Sequence, residues 1–296
     1  MNFKNLILIT IFSTDRDRKH ESITHSITGY FTQHFTCHRC LCRNLPQSEV
    51  ITTADIDWGY LNPLRGDKSP GAANLWGDRT QNVPTGMLVK FNKGFSSPPH
   101  IHNITYRGVV IEGKMHNDDP DAATMWMPTG SFWTQPAGEN HITAANGEDN
   151  LIFLEIDSGP YLVKPSSEQF DNGERPINLH QSNLVWLDQT DMKSINGNNA
   201  EITALWGSNK VGELGGAMIK LPANFSGTLT SDAEEFRAIV IKGSLSYQSV
   251  ETPNRKGLTA GSYFGSNGKF SHKVTTSAQG AMVYIRTDGK YHVAEK

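Results

Sequence analysis

From Val50 onward, the hydrophobic positions of the chain fall into short runs separated by glycine, proline and asparagine. Four such runs in the first half of this region are residues 86–91, 106–113, 131–136 and 150–156. Helical periodicity is scarce, and short apolar runs bounded by turn residues are typical of β-strands. The pattern therefore predicts an all-β barrel or sandwich.

The same order of runs recurs later in the chain. A shift of 130 residues aligns residues 74–113 with residues 204–243 without a gap, and eleven of those forty positions are identical. A one-residue insertion then aligns Gly130 with Gly261 and His141 with His272. This self-similarity indicates a duplication, with one β-barrel in each half.

Residues 1–48 differ from the rest, because they hold all three cysteines and show no clear strand or turn signals. We interpret them as a leader or a loosely ordered extension. Cys37 and Cys40 have a metal-binding spacing, but without a second pair the favoured interpretation of Cys37, Cys40 and Cys42 is an incidental cluster. Residues 164–176 are polar and flanked by prolines, as in a linker. The predicted domains are therefore residues 49–165 and 177–296.

The composition excludes several functional classes. The formal net charge is −3, with acidic and basic residues interspersed, so nothing favours a nucleic-acid partner. No apolar run is long enough to span a bilayer, and no polybasic segment favours a membrane surface. We expect a soluble, cytoplasmic protein. Residues 1–13 contain only a short apolar stretch, so export through a weak signal stays open.

Two segments of the first predicted barrel carry histidines with metal-binding spacing. His100 and His102 are two residues apart, so on a strand they face the same side and can hold one metal ion. Tyr106 lies four residues after His102, so on a regular strand its side chain faces the same side as the two histidines. A third ligand has to come from elsewhere, and His141 follows a turn signal at residues 136–138, from which it can point back into the same cavity.

These two segments resemble the two motifs of the cupin superfamily. The matching residues are Gly94, His100, His102 and Gly113 in the first motif and Gly130, Pro136, Gly138 and His141 in the second. From about residue 50 the chain also resembles the uncharacterised DUF4437 family, related to ChrR-like cupins, through residues 65–78 and 98–113. The resemblance implies a bicupin, in which two tandem cupin barrels (double-stranded β-helix, or jelly-roll) follow the N-terminal extension.

The resemblance also implies that His100, His102 and His141 bind one divalent metal ion per chain. An imidazole-rich site suits Fe, Zn or Ni, with Mn as a further candidate. Tyr106 stands where cupins usually have a glutamate ligand. Three interpretations are open: three neutral histidines with waters, Tyr106 as a fourth ligand, or Tyr106 as a catalytic acid or base. Glu139 is a candidate compensating carboxylate.

The second half lacks most of these residues. Thr230 and Asp232 stand at the positions of the histidine pair, Phe236 replaces the tyrosine, and only His272 persists. We therefore expect a degenerate second site, with the second barrel stabilising the first.

Three protein ligands leave open positions on a metal, which is typical of catalytic sites. The sequence therefore favours an enzyme that acts on a small oxygen-bearing molecule, by dioxygenase-like or lyase-like chemistry. The alternative is a non-catalytic cupin that binds or senses a metal or small ligand. A homodimer is expected, because a partner often covers exposed barrel faces.

Overall fold

The computed structural model of the protein describes residues 47–197 and 199–296. Within these residues the chain forms 22 strands and three short 3-10 helices, which confirms the all-β prediction. The cysteines at positions 37, 40 and 42 and the expected leader up to residue 46 lie outside the described residues. In the part of the chain that the structure describes, no helix is long and apolar enough to cross a membrane.

The strands follow the apolar runs of the sequence in both halves. In the first half they are β1 (Ser48–Ile51), β2 (Gly59–Tyr60), β3 (Gly71–Trp76), β4 (Thr85–Phe91), β5 (His100–His102), β6 (Tyr106–Glu112), β7 (Lys114–Asp118), β8 (Met127–Pro128), β9 (Phe132–Gln135), β10 (Ile142–Ala145), β11 (Asn150–Ile156), β12 (Val163–Pro165) and β13 (Ile177–Leu179). In the second half they are β14 (Ile195–Asn196), β15 (Glu201–Gly207), β16 (Gly215–Leu221), β17 (Ser226–Ser231), β18 (Phe236–Gln248), β19 (Lys256–Thr259), β20 (Tyr263–Ser266), β21 (Phe270–Thr287) and β22 (Tyr291–Glu295). The 3-10 helices are Pro63–Lys68, Ser166–Glu168 and Gln181–Asn183.

The first half contains one large sheet and two small ones. The large sheet has the strand order β13-β9-β6-β11-β4-β3-β2, and the small ones are β10-β7-β8 and β12-β5. The strands of the second half form a ten-stranded sheet together with β1, and the long strands β18 and β21 in it pair with each other. Apart from β14 and β22, which pair parallel, the paired strands are antiparallel, for example β3 with β4 and β15 with β16.

The large sheet of the first half is buried on both faces. Along β4, Met87 and Val89 point into the barrel, whereas Leu88 between them packs in a cluster with Met218 and Ile239 of the second half. The strands β6 and β11 alternate in the same way. Burial on both faces explains why these strands are continuous apolar runs in the sequence rather than alternating ones.

The first strand of each predicted domain pairs with a strand of the other domain. β1, at residues 48–51, pairs with β20 through Ser48↔Ser266 to Ile51↔Tyr263. β13, at residues 177–179, pairs with β9 of the first half through Ile177↔Thr134 to Leu179↔Phe132. The domain boundaries at 49–165 and 177–296 stay a prediction. The strands β1 and β13, which begin these two domains, each extend the sheet of the other domain.

The repeat seen in the sequence recurs in the local geometry. The β3–β4 register shifts before Trp76, and the β15–β16 register shifts before Trp206, 130 residues later. Gly77 and Gly207 follow with φ of 68° and 70°. A Cβ on either glycine would lie within 2.2 Å of a backbone oxygen across the turn, so only glycine fits both positions.

A charged cluster joins the two halves. Arg286, whose side chain is 1% exposed, donates to Asp157 at 2.6 Å and lies 3.6 Å from the fully buried carboxylate of Glu155. Arg107 lies 3.4 Å from the carboxylate of Glu155 and 2.7 Å from that of Asp157, and its guanidinium stacks 3.5 Å above the ring of Trp206. Glu155 and Arg286 are equivalent positions of the repeat, so the duplicated barrels carry opposite charges where they meet.

Candidate metal centre

The three predicted histidines meet at the end of the first barrel. His100 and His102 form the ends of β5, and His141 bridges to His100 with two backbone hydrogen bonds of 3.0 Å. On its other side, β5 pairs with β12, with Val163 opposite His102. Backbone hydrogen bonds on both edges therefore hold the short histidine strand in place.

The imidazole rings lie close together and are buried. Their centroids are 5.1 Å apart for His100 and His102, 4.3 Å for His100 and His141, and 5.3 Å for His102 and His141. One ring nitrogen from each lies within 4.8 Å of those of the other two. The structure thus brings together the three residues that the sequence predicted as ligands.

Each histidine has a backbone carbonyl as partner for its Nδ1 atom. The acceptors are the carbonyl of Pro98 for His100 at 2.9 Å, that of Leu162 for His102 at 3.2 Å and that of Glu139 for His141 at 3.0 Å. A carbonyl can only accept, so Nδ1 carries the proton in each ring. The lone pair of each ring therefore lies on Nε2, the arrangement usual for histidines that bind metals.

Burial also keeps these rings neutral. It lowers the pKa of His100, lowers that of His141 to about 3 and lowers that of His102 well below its usual value. The neighbouring rings lower the pKa of His102 and His141 further, because each would repel a second positive charge. At neutral pH all three imidazoles are uncharged and have a lone pair on Nε2, which is the form that binds a metal.

Tyr106 is held beside the histidines by a buried polar network. Its hydroxyl donates to Oδ1 of Asn117 at 2.9 Å, and Thr143 donates to the same oxygen at 2.8 Å. Asn117 in turn donates to Gln135 at 2.8 Å. Burial raises the pKa of Tyr106 well above that of a free phenol, so the hydroxyl keeps its proton.

This network determines what Tyr106 presents to the histidines. Its single proton is engaged by Asn117, and the Nδ1 proton of His141 is engaged by a carbonyl. The hydroxyl oxygen of Tyr106 and Nε2 of His141 are 3.4 Å apart, and both direct lone pairs into the same space. Two acceptors that face each other have no proton to share, whereas a cation would satisfy both. The donor set therefore fits a divalent metal that prefers imidazole ligands.

Tyr161, which the sequence analysis missed, completes this group. Its ring stacks on that of His102 with centroids 4.4 Å apart, and its hydroxyl lies 3.2 Å from Nε2 of His102. It belongs to the segment between β11 and β12, whose backbone also supplies the Leu162 carbonyl. Tyr161 lies outside both histidine motifs and outside the aligned repeat, and the one sequence signal was the glycine–proline turn before it.

Glu139 contributes to the site through its backbone only. Its carbonyl orients His141, but its side chain lines a separate surface pocket with Asp171 and Arg175. The structure does not bring its carboxylate into the histidine group. Among the described residues, the oxygen next to the histidines is that of a tyrosine rather than of a carboxylate.

A cavity of about 620 Å³ extends from the histidines through the first barrel. Its wall includes His100, His102, Tyr106 and Trp133. Aliphatic and aromatic side chains supply most of the remainder, including Val89, Phe91, Phe95, Ile152 and Leu154. The volume is that of a typical small-molecule site, with a largely apolar wall and polar groups that include Arg65 and Arg79 besides the histidines.

The equivalent place in the second half has different contents. His272 is fully buried, with Nδ1 2.8 Å from the hydroxyl of Tyr247 and Nε2 3.1 Å from that of Ser266. Its ring packs against Phe236 and Phe270 with centroids 5.1 and 4.9 Å apart. Both ring nitrogens are engaged, and aromatic side chains occupy the space around them.

Comparisons with known proteins agree on the family and the fold. The family model described as "Domain of unknown function (DUF4437)" matches residues 49–294. No curated protein matches the sequence. Among solved structures, a candidate dioxygenase from Nostoc punctiforme PCC 73102 is similar, with a TM-score of 0.62 at 16% identity over 83% of this chain and 84% of that one.

Two further structures show the same fold at lower similarity. The protein Ylba from E. coli aligns with a TM-score of 0.54 at 14% identity, over 81% of this chain and 90% of that one. An oxalate decarboxylase from Lactobacillus farciminis, in a formate complex, aligns with a TM-score of 0.53 at 9% identity, over 83% and 88%. At such identities the likeness concerns the fold alone, a tandem β-barrel of the cupin type.

Proposed function

Because the chain belongs to the DUF4437 family and has the cupin fold, we propose that it is a metal-dependent enzyme acting on a small oxygen-bearing molecule. The observation that carries the proposal is the set of three buried imidazoles with every Nδ1 committed to a backbone carbonyl. Their Nε2 atoms carry the lone pairs, and His100 and His102 line a cavity of small-molecule size. His100, His102 and His141 would hold one divalent ion, and Fe, Zn, Mn and Ni are the candidates.

A metal bound by three neutral histidines would supply Lewis acidity toward a substrate oxygen. The protein residues around the metal would position the ligands and the substrate. The two antiparallel edges of β5 fix the histidines, and the apolar wall of the barrel excludes water from the reacting end of the substrate. Exclusion of water strengthens each polar contact made there.

Tyr106 is the proposed catalytic residue, and Asn117 positions it. The phenol donates its hydrogen bond to Asn117, so the hydroxyl oxygen of Tyr106 can accept from a hydroxyl or enol group of the substrate. Tyr106 and Trp133 both line the cavity, which places them against any bound molecule. The raised pKa of Tyr106 favours this role as a neutral hydrogen-bonding group over that of a resting base.

The reaction would be dioxygenase-like or lyase-like. Similar structures include a candidate dioxygenase and an oxalate decarboxylase, so both kinds of chemistry occur in proteins of this fold. We also propose that the chain is a bicupin related to ChrR-like cupins, because strand order and glycine geometry repeat at one spacing in both halves. A cupin that only binds or senses its ligand is the alternative.

The test is an oxygen-uptake and product assay with a panel of diketones and enols, on protein purified without a nickel column. The informative variant is the double substitution His100→Ala and His102→Ala, and the matched control is His272→Gln in the second half. We expect turnover in wild type and control and none in the double variant. Consumed oxygen would identify a dioxygenase, and product without oxygen uptake a lyase. Unchanged turnover in the double variant would refute the catalytic role, and a metal-loaded protein inert toward the whole panel would favour the binding alternative.

A further inference from the structure

We propose that the ligand of the first-barrel cavity is a small amphipathic carboxylate, bound through its anionic group by Arg79 and through its apolar body by the barrel wall. The inference rests on the proposed function, since it names the substrate class of the same cavity. Among the described residues that line the cavity, the charged ones are Arg65 and Arg79, and no aspartate or glutamate is present.

Arg79 is a half-buried cation without a counter-ion. Its guanidinium donates to the side-chain oxygen of Asn74 at 2.8 Å and to the backbone carbonyl of Tyr60 at 3.1 Å, both of which are neutral. No carboxylate of the described residues lies within ion-pair distance of it. The adjacent Asp78 accepts instead from the backbone and the hydroxyl of Thr80.

Two guanidiniums of this protein are paired with carboxylates, whereas the partly buried Arg237, like Arg79, donates to a neutral side chain, that of Asn267. Arg107 and Arg286 each contact the carboxylates of Glu155 and Asp157. A cation that is partly removed from water is costly unless it is paired, and burial lowers the pKa of Arg79 accordingly. An anionic group of the ligand would supply the missing partner, and a guanidinium binds a carboxylate through two parallel hydrogen bonds.

A second donor on the same wall also lacks an acceptor. Trp133 is 1% exposed and lines the cavity, and its indole N–H lies near the hydroxyl of Tyr106 without a hydrogen bond of ordinary geometry. Buried donors are nearly always paired, so an unpaired one beside a cavity indicates a ligand that brings an acceptor. Arg79 and Trp133 thus independently favour a ligand with oxygen acceptors.

The rest of the wall determines the other end of the ligand. Val89, Ile152 and Leu154 are buried side chains on the wall, and Phe91 and Phe95 pack with ring centroids 4.9 Å apart. Such a surface favours an aliphatic or aromatic body over a sugar or a nucleotide.

Arg79 is also coupled to the histidine end of the cavity. Its backbone carbonyl accepts from the N–H of Tyr161 at 2.8 Å, and the ring of Tyr161 stacks on His102. A ligand anchored by Arg79 would therefore be held in a fixed relation to the group of histidines.

The test is a calorimetric titration of the full-length protein with 3-phenylpropionate and with its neutral amide, in metal-free and zinc-loaded forms. One charge-assisted interaction predicts that the carboxylate binds about 10- to 100-fold more tightly than the amide. Arg79→Gln should remove most of that preference and leave the affinity for the amide unchanged. Arg79→Lys should retain part of it. The control Arg255→Gln, an exposed arginine of the second half, should retain all of it.

Equal affinities for carboxylate and amide, no measurable binding of either, or an unchanged preference in Arg79→Gln would each overturn the inference. The content of Fe, Zn, Mn or Ni, measured after loading with each ion, separates this result from that of the proposed function. Protein that binds none of Fe, Zn, Mn and Ni but keeps an Arg79-dependent preference would refute the metal centre and support the carboxylate site. Protein that binds zinc but shows no preference would do the reverse.

Discussion

The two barrels of this protein use equivalent positions for opposite purposes. In the first, a set of polar or amphipathic side chains forms a buried network from which Tyr106 and Trp133 face a cavity, and in the second their equivalents pack around His272. The equivalent pairs are Tyr106 and Phe236, Asn117 and Tyr247, Trp133 and Phe264, Gln135 and Ser266, and His141 and His272. The same strand pairings place both sets, because Tyr106 lies opposite Gln135 just as Phe236 lies opposite Ser266.

The difference shows that the scaffold does not require the site. The second barrel keeps one histidine, satisfies both its nitrogens with hydroxyls and packs phenylalanines around it. The first barrel keeps three histidines and leaves about 620 Å³ beside them. One barrel thus has the features of a binding chamber and the other those of a structural partner, and the following substitutions can break or sharpen that contrast.

The largest expected effect concerns the charged contact between the barrels. Arg286→Met removes a fully buried cation and leaves the buried carboxylate of Glu155 with less compensation. Breaking a buried pair in this way should lower the free energy of unfolding by about 3–5 kcal/mol, measured by urea denaturation at neutral pH.

The matched control is the double variant Glu155→Gln with Arg286→Met. Removing the carboxylate together with the arginine should restore part of the lost stability, because the buried charge of Glu155 goes with its partner, while Glu235 loses its contact with Arg286 in both variants. If the double variant is as unstable as the sum of the two single ones, the buried pair does not join the barrels as described.

A smaller effect is expected from one pair of equivalent positions. Asn117→Leu in the first barrel leaves the hydroxyls of Tyr106 and Thr143 and the amide of Gln135 without their partner. The expected loss is about 3 kcal/mol of unfolding free energy, since each unsatisfied buried group costs about 1 kcal/mol or more.

At the equivalent position of the second barrel, Tyr247→Phe removes a single hydrogen bond to His272. The expected loss is about 1 kcal/mol. Similar losses in both variants, by the same denaturation assay, would contradict the view that the first barrel depends on a connected polar network.

The smallest effect concerns acid stability. Despite partial burial, which opposes ionisation, hydrogen bonds and charges from Arg107 and Arg286 lower the pKa of Asp157 to about 2. The folded-state value lies below that of the unfolded chain, so this carboxylate stabilises the fold above about pH 4 and loses that contribution as the pH falls toward 2.

The stability difference between wild type and Asp157→Asn should therefore shrink over that range of pH. We expect a change of at most about 1 kcal/mol, because the carboxylate is 47% exposed and screened by solvent. A difference that stays constant from pH 5 to pH 2 would show that Asp157 does not contribute as an ion.

Much of this architecture was readable from the sequence. Short apolar runs predicted the strands, and the shift of 130 residues predicted the repeat that Gly77 and Gly207 now show in their backbone angles. The i, i+2 spacing of His100 and His102 on a strand, with His141 after a turn, placed three residues that the structure brings together.

The remaining features depend on contacts that no local pattern encodes. The exchange of β1 and β13 between the halves joins residues more than 200 positions apart in one case, such as Ser48 with Ser266. Tyr161 and the carbonyl of Leu162 reach His102 because an irregular segment crosses the cavity, and irregular segments have no periodicity to read. The lack of a counter-ion at Arg79 likewise becomes visible only once its surroundings are folded.

The metal content of the two barrels tests most directly whether the first barrel, and not the second, holds a metal ion. The decisive measurement is elemental analysis of the full-length protein, purified without a nickel column, together with the variants His102→Ala and His272→Gln. We predict about one divalent metal ion per chain in wild type and in His272→Gln, and a loss of at least about 100-fold in metal affinity in His102→Ala, beyond the cost of altering an outer contact. Wild-type protein with no metal or with two ions per chain, or metal that is lost with His272 rather than His102, would contradict the asymmetry between the barrels.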